Sequence, residues 1–262
     1  MKQVLIIAQG LLMVFAAFVI VTFLYMITSS VFTLITGISY ISPDISYCLM
    51  VIAVMIAIIF FYLWYRKYAV KGGVEQVELK DIISVKTMGI YLMMGIGCQL
   101  FMSRILVYLR PLLKTLFIHY DEAISSLFVA DTIIVAVYVV ILAPVVEELM
   151  LRGILFNRLR YGVSFPIANI IQAAVFGLYH WNIIQGIYAF AIGLILGYIY
   201  ERKRSLLAPI IVHGIINGSG FLIQWLNIGQ YIPSWLAIVI GGGLLLGGIY
   251  LFKKNTDFIS GV

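Results

Sequence analysis

Two adjacent glutamates lie inside a long apolar segment, where ionisable side chains are costly and usually functional. They are Glu147 and Glu148, and Arg152 follows them. Glu148 and Arg152 are four residues apart, so in a helix they share one face and can form an ion pair. Glu147 is turned about 100° away from that face. We therefore predict that Glu147 is a general base. For Glu148 and Arg152, a pair that only fixes helix packing remains an open alternative.

Two histidines and an asparagine occupy further apolar segments. Phe176 and His180 have the spacing i,i+4, as do His213 and Asn217, so each pair lies on one helical face. A single histidine in an apolar helix is more often a packing residue. Because two of the three histidines in the chain lie in such segments, we predict that these four residues are part of a functional site.

Several other catalytic motifs are absent from the sequence. There is no HExxH motif of zinc proteases and no GxGD motif of aspartyl proteases. The stretch that begins at Asn217 reads Asn-Gly-Ser-Gly, which differs from the GxSG of rhomboid-type serine proteases in its first residue. A solvated outer loop is expected to contain His119, Asp121 and Glu122, so these residues are not assigned to a site.

The composition indicates that these residues are positioned by membrane-spanning helices. The chain has 262 residues, of which 63% are hydrophobic and 11% are charged. A soluble domain exposes much more polar surface, whereas each span needs about 20 apolar residues. We predict an all-α, polytopic membrane helix bundle of about eight spans that forms one integral membrane domain over residues 1–262. The apolar runs are 4–27, 47–64, 88–109, 128–157, 165–183, 186–200, 206–226 and 232–252.

The distribution of charge gives the bundle an orientation. Lysines and arginines fall almost entirely in the segments that face the cytoplasm when both termini are inside. With a rise of 1.5 Å per residue, Glu147, His180 and His213 can then meet in the cytoplasmic half of the bilayer. Pro144 is expected to disturb the helix next to Glu147. Residues 66–87 are predicted to be a solvated loop, or else a short surface helix.

Charge and cysteine content exclude other classes of function. The net charge of +6 comes from basic residues between apolar runs, so we expect the lipid bilayer as a partner and no nucleic acid. Cys48 and Cys98 lie in different apolar segments without CxxC spacing. They predict neither a disulfide framework nor a thiolate metal site.

Glu147-Glu148-x-x-x-Arg152, Phe176-x-x-x-His180 and His213-x-x-x-Asn217 follow one another on successive apolar helices. In this order they resemble the CPBP family of CAAX proteases and bacteriocin-processing proteins, also called the Abi family. That family includes the type II CAAX prenyl endopeptidase. The resemblance covers about residues 141–220, which we expect to form the catalytic core.

The resemblance implies an intramembrane endopeptidase with a cavity open to the cytosol. Glu147 would activate the attacking water, and His180 would hold or orient that water. His213 and Asn217 would stabilise the oxyanion of the tetrahedral intermediate. The supporting residues would be Glu148 and Arg152, together with Phe176 in the motif of His180.

Metal dependence stays open at this point. One glutamate with two histidines is a possible zinc set, here Glu147, His180 and His213. A water activated by glutamate and oriented by two histidines needs no metal. The spacing of the residues favours neither mechanism.

We therefore predict cleavage of a membrane-associated peptide or lipidated peptide near the cytoplasmic face of a bacterial plasma membrane. A non-catalytic bacteriocin immunity protein or membrane scaffold is the main alternative. A proton-coupled transporter is a further alternative, but the sequence lacks the inverted repeat common among transporters. The sequence does not determine the oligomeric state.

Overall fold

The computed structural model describes residues 2–71 and 79–260, and within these ranges it contains helices and no strand. Seven helical segments in these ranges are long and apolar enough to cross a membrane. They are Lys2–Thr36, Pro43–Lys67, Leu79–Leu109, Thr132–Arg160, Ile183–Lys203, Leu207–Trp225 and Ser234–Thr256. A shorter apolar helix, Phe165–Tyr179, lies where a further span was predicted. The predicted all-α integral membrane fold is confirmed, and the seven spans with the one shorter apolar helix agree with the expected number of about eight spans.

The described helices are labelled in chain order. They are α1 (Lys2–Thr36), α2 (Pro43–Lys71), α3 (Leu79–Ile82), α4 (Val85–Leu109), α5 (Lys114–Ser126), α6 (Thr132–Val137), α7 (Ala143–Glu148), α8 (Asn157–Arg160), α9 (Phe165–Tyr179), α10 (Ile183–Lys203), α11 (Leu207–Trp225) and α12 (Ser234–Ser260). The helices α6, α7 and α8 belong to one span, in which π-helical stretches at Tyr138–Leu142 and Leu149–Phe156 join them. A 3-10 turn at Ile228–Tyr231 precedes α12.

The segment predicted to be a solvated outer loop contains a helix, α5, on which His119, Asp121 and Glu122 are exposed as expected. Phe117 of α5 packs into an apolar cluster with Leu106 and Ile184. Asp121 accepts two hydrogen bonds from the Arg110 guanidinium, at 2.5 and 2.9 Å, and this contact raises the pKa of Arg110. Hydropathy did not indicate α5 because its 13 residues are too few for a span and only one face is apolar.

The polar stretch of residues 66–87 is helical at both described ends. Helix α2 continues to Lys71, and α3 occupies Leu79–Ile82. The Lys203 ammonium at the end of α10 donates a hydrogen bond of 2.8 Å to the carbonyl oxygen of Asp81. This bond attaches α3 to α10, while residues 72–78 lie outside the described part of the chain.

The chain forms two compact units. The first consists of Met1–Val74 and Glu122–Val175, and the second of Glu75–Asp121 and Phe176–Val262. In the first unit, α1 and α2 pack against the Leu149–Phe156 stretch. Gly10 permits this approach, since a Cβ atom at that position would lie 2.9 Å from Leu155 Cδ1. The span that carries the two glutamates is therefore held directly by the N-terminal helix.

In the second unit, α4 and α12 approach each other at glycines. A Cβ atom on Gly97 would lie 2.5 Å from the Leu245 backbone nitrogen and 2.9 Å from the Gly241 carbonyl oxygen. Gly243 and Gly247 have the GxxxG spacing typical of close helix contacts, yet a Cβ atom on Gly243 would meet nothing within 4 Å. The glycines in contact are therefore not the pair indicated by the motif.

We predict that Gly97→Ala destabilises the protein by about 1–3 kcal/mol, because the added methyl group collides with backbone atoms that cannot rotate away. The matched variant Gly243→Ala should leave stability unchanged within about 0.5 kcal/mol. Thermal unfolding of the purified protein in detergent measures both. Equal losses of stability in the two variants would contradict the packing described for α4 and α12.

Candidate active site

The two glutamates lie on a span with irregular helical geometry. A π-helical turn, Tyr138–Leu142, directly precedes α7, and the Ala143 N–H donates to the Tyr138 carbonyl five residues earlier. Pro144, in the first turn of α7, has no N–H to donate to the helix. After α7 the chain enters a second π-helical stretch, Leu149–Phe156. Such stretches are rare and frequently occur at functional sites, and the spacing of apolar residues gave no sign of them.

A buried ion pair joins α7 to the second π-helical stretch. Arg152 Nη1 donates to Glu148 Oε1 at 2.7 Å, and both side chains are 0% exposed. The prediction that Glu148 and Arg152 pair is thereby confirmed. Two charges withdrawn from water interact far more strongly than a surface pair does, but their desolvation is also costly. The pair therefore fixes the positions of the Glu148 and Arg152 side chains relative to each other.

Glu147 is nearly buried as well, with 8% of its surface exposed. Arg152 interacts electrostatically with Glu147 in addition to Glu148, so one cation compensates two carboxylates. Tyr138 also lies within electrostatic range of Glu147, and its ring packs edge-on against Tyr47 at 6.1 Å between centroids. Sequence reasoning did not single out Tyr138, although it lies on the same span as the glutamates.

In the second unit, one phenylalanine contacts both histidines. The Phe176 ring centroid lies 4.9 Å from the centroid of His180 and 5.5 Å from that of His213, both in edge-on geometry. Phe176 and His213 are buried, whereas His180 is half-buried. The structure therefore brings the two predicted histidines into contact with the same phenylalanine ring.

A hydrogen bond fixes the orientation of the His180 ring. His180 Nδ1 lies 2.8 Å from the Phe176 carbonyl oxygen. A carbonyl oxygen can only accept, so Nδ1 carries the proton that is donated. In the neutral ring, Nε2 then holds the lone pair. A nitrogen of this kind can accept a hydrogen bond from a water molecule or serve as a metal ligand.

His180 lies in a turn and not within a helix. Helix α9 ends at Tyr179, whereas the sequence predicted a span through residue 183. Trp181 adopts a left-handed backbone with φ of 53°, and the Asn182 side chain caps α10 by accepting from Gln185 N at 3.0 Å. Apolar content cannot locate such a turn, because the residues on either side of it are equally hydrophobic.

Glycines allow the two helices on either side of this turn to meet closely. A Cβ atom on Gly177 would lie 2.6 Å from the Gly186 carbonyl oxygen, and one on Gly186 would lie 2.9 Å from the Gly177 carbonyl oxygen. A larger residue at either position would push the start of α10 away from the end of α9. This contact therefore fixes the position of the turn that carries His180.

On α11, Asn217 follows His213 by one helical turn and is half-buried. The hydroxyl of the neighbouring Ser219 donates back to the carbonyl oxygens of Ile215 and Ile216, at 2.7 and 3.0 Å. Ser219 is thus engaged with its own helix, as serines in apolar helices commonly are. This geometry agrees with the exclusion of a rhomboid-type serine nucleophile.

The predicted site residues divide between the two units. The first unit carries Glu147, Glu148 and Arg152, and the second carries the aromatic and polar residues Phe176, His180, His213 and Asn217. In the described part of the chain, no group of three or more His, Cys, Asp and Glu residues is arranged to hold a metal ion. The zinc set inferred from sequence remains a prediction.

Comparison with known proteins gives this region a family context. Residues 129–219 match the family described as Type II CAAX prenyl endopeptidase Rce1-like, which confirms the resemblance inferred from the three motifs. The matched region overlaps the predicted catalytic core of about residues 141–220. No solved structure shows a significant match to the chain.

Two curated bacterial relatives match part of the chain. "Putative membrane peptidase YdiL" of Bacillus subtilis (strain 168) is 26% identical over 105 residues, which cover 39% of this chain and 43% of that protein. "Membrane-embedded CAAX protease MroQ" of Staphylococcus aureus (strain USA300) is 32% identical over 96 residues, which cover 34% of this chain and 39% of that protein. The chain thus spans about two-fifths of the length of the curated relatives it matches.

We predict that Glu148→Ala lowers stability by about 3–5 kcal/mol, because it leaves the Arg152 guanidinium buried beside one carboxylate fewer. Asp121→Ala is the matched control, since Asp121 pairs with Arg110 at 2.5 Å and the two side chains are 50% and 47% exposed. The control should lose less than about 1 kcal/mol. Thermal unfolding in detergent measures both, and similar losses would contradict the structural role of the buried pair.

Proposed function

Because residues 129–219 match a family of CAAX endopeptidases, we propose that this membrane protein is an intramembrane endopeptidase. It hydrolyses a peptide bond by means of a water molecule that Glu147 activates. The observation that carries the proposal is the nearly buried Glu147, which lies within the matched region beside the ion pair of Glu148 and Arg152.

Glu147 is the general base in this proposal. Its carboxylate takes a proton from water while the water oxygen attacks the carbonyl carbon of the peptide bond. Arg152 compensates part of the negative charge, since it interacts with both glutamates. Glu148 holds Arg152 at 2.7 Å, so Glu148 acts by positioning and does not touch the reacting atoms.

The histidines and the asparagine complete the reaction. His180 presents Nε2 as an acceptor, because its Nδ1 is bonded to the Phe176 carbonyl oxygen, and it orients the attacking water. His213 and Asn217 donate hydrogen bonds to the oxyanion that forms on the carbonyl oxygen. The intermediate then collapses as the carbon–nitrogen bond breaks, and the protonated Glu147 gives its proton to the leaving amine.

The substrate class follows from the relatives and the membrane setting. One relative is named a membrane peptidase and the other a membrane-embedded CAAX protease. We propose that this chain likewise cleaves a membrane-associated peptide or lipidated peptide. Both termini and the cleavage site lie on the cytoplasmic side in this proposal, in agreement with the distribution of basic residues.

We predict that Glu147→Gln abolishes proteolysis, with at least about a 100-fold loss, because the amide cannot accept the proton of water. The measurement compares new protein termini in membranes of bacteria that produce the wild type or the variant. Glu122→Gln is the control, since Glu122 is an exposed glutamate on α5, and it should leave the cleavage products unchanged.

The same comparison separates catalysis from the non-catalytic alternative. Both variants must accumulate in the membrane to the wild-type level and unfold at the same temperature. If Glu147→Gln then yields the same products as the wild type, Glu147 is not the base and the proposal is overturned. Protection against a bacteriocin that survives Glu147→Gln without any cleavage would indicate an immunity or scaffold role.

A further inference from the structure

The first unit carries a groove that includes none of the predicted site residues. It is an open groove between α1 and α8 with a volume of about 440 Å³. Its lining consists of Gln9, Leu12 and Met13 from α1 and Arg158 from α8. The three residues of α1 have i,i+3 and i,i+4 spacing, so they form one continuous face of the helix. The groove therefore has a polar end at Gln9 and Arg158 and an apolar wall beyond it.

Arg158 is held in place at the polar end. Its Nη2 donates a hydrogen bond to Gln9 Oε1, and its guanidinium carbon lies 5.9 Å from the centroid of the Tyr161 ring. A guanidinium has five N–H donors in a planar fork that matches the oxygens of a phosphate group. Gln9 engages one of these donors, so the fork is already oriented before an anion arrives.

The apolar wall faces outwards along the membrane-spanning helix α1. Leu12 is 67% exposed, and it lies one turn deeper along α1 than Gln9. Arg158 is two residues from the end of the Thr132–Arg160 span, where basic side chains typically reach the level of lipid headgroups. A cation at the end of the span matches the headgroup of a phospholipid, and the exposed apolar wall beyond it matches the acyl chain.

We propose that this groove binds an anionic phospholipid, whose phosphate group contacts Arg158 and whose acyl chain lies along Leu12 and Met13. Charge complementarity selects an anionic headgroup, because the charged side chain that lines the groove is a cation. A free phosphate ion would use Arg158 alone and would gain nothing from the apolar wall. The proposal does not depend on proteolytic activity, since none of the four lining residues has a role in the proposed reaction.

The test measures retention of phosphatidylglycerol by the purified full chain in native mass spectrometry, with phosphatidylcholine, whose zwitterionic headgroup has no net charge, as the comparison. Arg158→Gln should lower the retention of phosphatidylglycerol about tenfold. Arg66→Gln is the matched control, since Arg66 is an exposed arginine on α2 that also contacts a tyrosine, Tyr62. The control should retain as much phosphatidylglycerol as the wild type.

Leu12→Trp tests the apolar wall without changing the charge, and it places a large ring over the groove at an exposed position. It should also lower phosphatidylglycerol retention at least several-fold. Equal retention of both lipids by the wild type, or equal losses in the Arg158 and Arg66 variants, would overturn the proposal. Displacement of phosphatidylglycerol by millimolar inorganic phosphate, or full retention in Leu12→Trp, would indicate a simple anion site and would overturn it too.

Discussion

The ion pair of Glu148 and Arg152 is the constraint on which the first unit depends. Neither charge can face hydrocarbon, because an isolated ion in lipid costs several kcal/mol or more. Both side chains are fully buried, and every residue of Leu149–Phe156 around Arg152 is buried too. Helices α1 and α2 pack against this stretch and so shield the ion pair from lipid. Gly10 of α1 lies at this contact, where a Cβ atom would be 2.9 Å from the Leu155 side chain.

The π-helical stretches change what neighbouring residues on this span can do. In a regular helix, an uninterrupted series of main-chain hydrogen bonds fixes the direction of each side chain. Here the wider turn before α7 accommodates Pro144, and the second wide stretch begins immediately after Glu148. Glu147 and Glu148 therefore lie between two irregular segments. Glu148 pairs with Arg152 at the i,i+4 spacing of the chain, while Glu147 beside it is the proposed base.

Much of this organisation was determined by the sequence alone. Long apolar runs require helices in a bilayer, since an isolated strand would leave backbone groups without partners in lipid. The approximate number of spans and the family resemblance of the central region followed from the sequence, and the pairing of Glu148 with Arg152 followed from i,i+4 spacing. Ionisable side chains are costly in lipid, and on that ground the sequence predicted Glu147, His180 and His213 as site residues.

Only the tertiary structure decided how these residues are presented. The π-helical stretches, the helix α5 and the turn at His180 leave no mark in hydropathy, because they depend on main-chain hydrogen bonds and on packing against distant segments. The Phe176 carbonyl selects which nitrogen of His180 carries the proton, and the Phe176 ring joins two histidines that are 33 positions apart in the chain. The sequence determines which charged and polar side chains must be shielded from lipid. How they are shielded depends on distances between segments, which only the folded chain fixes.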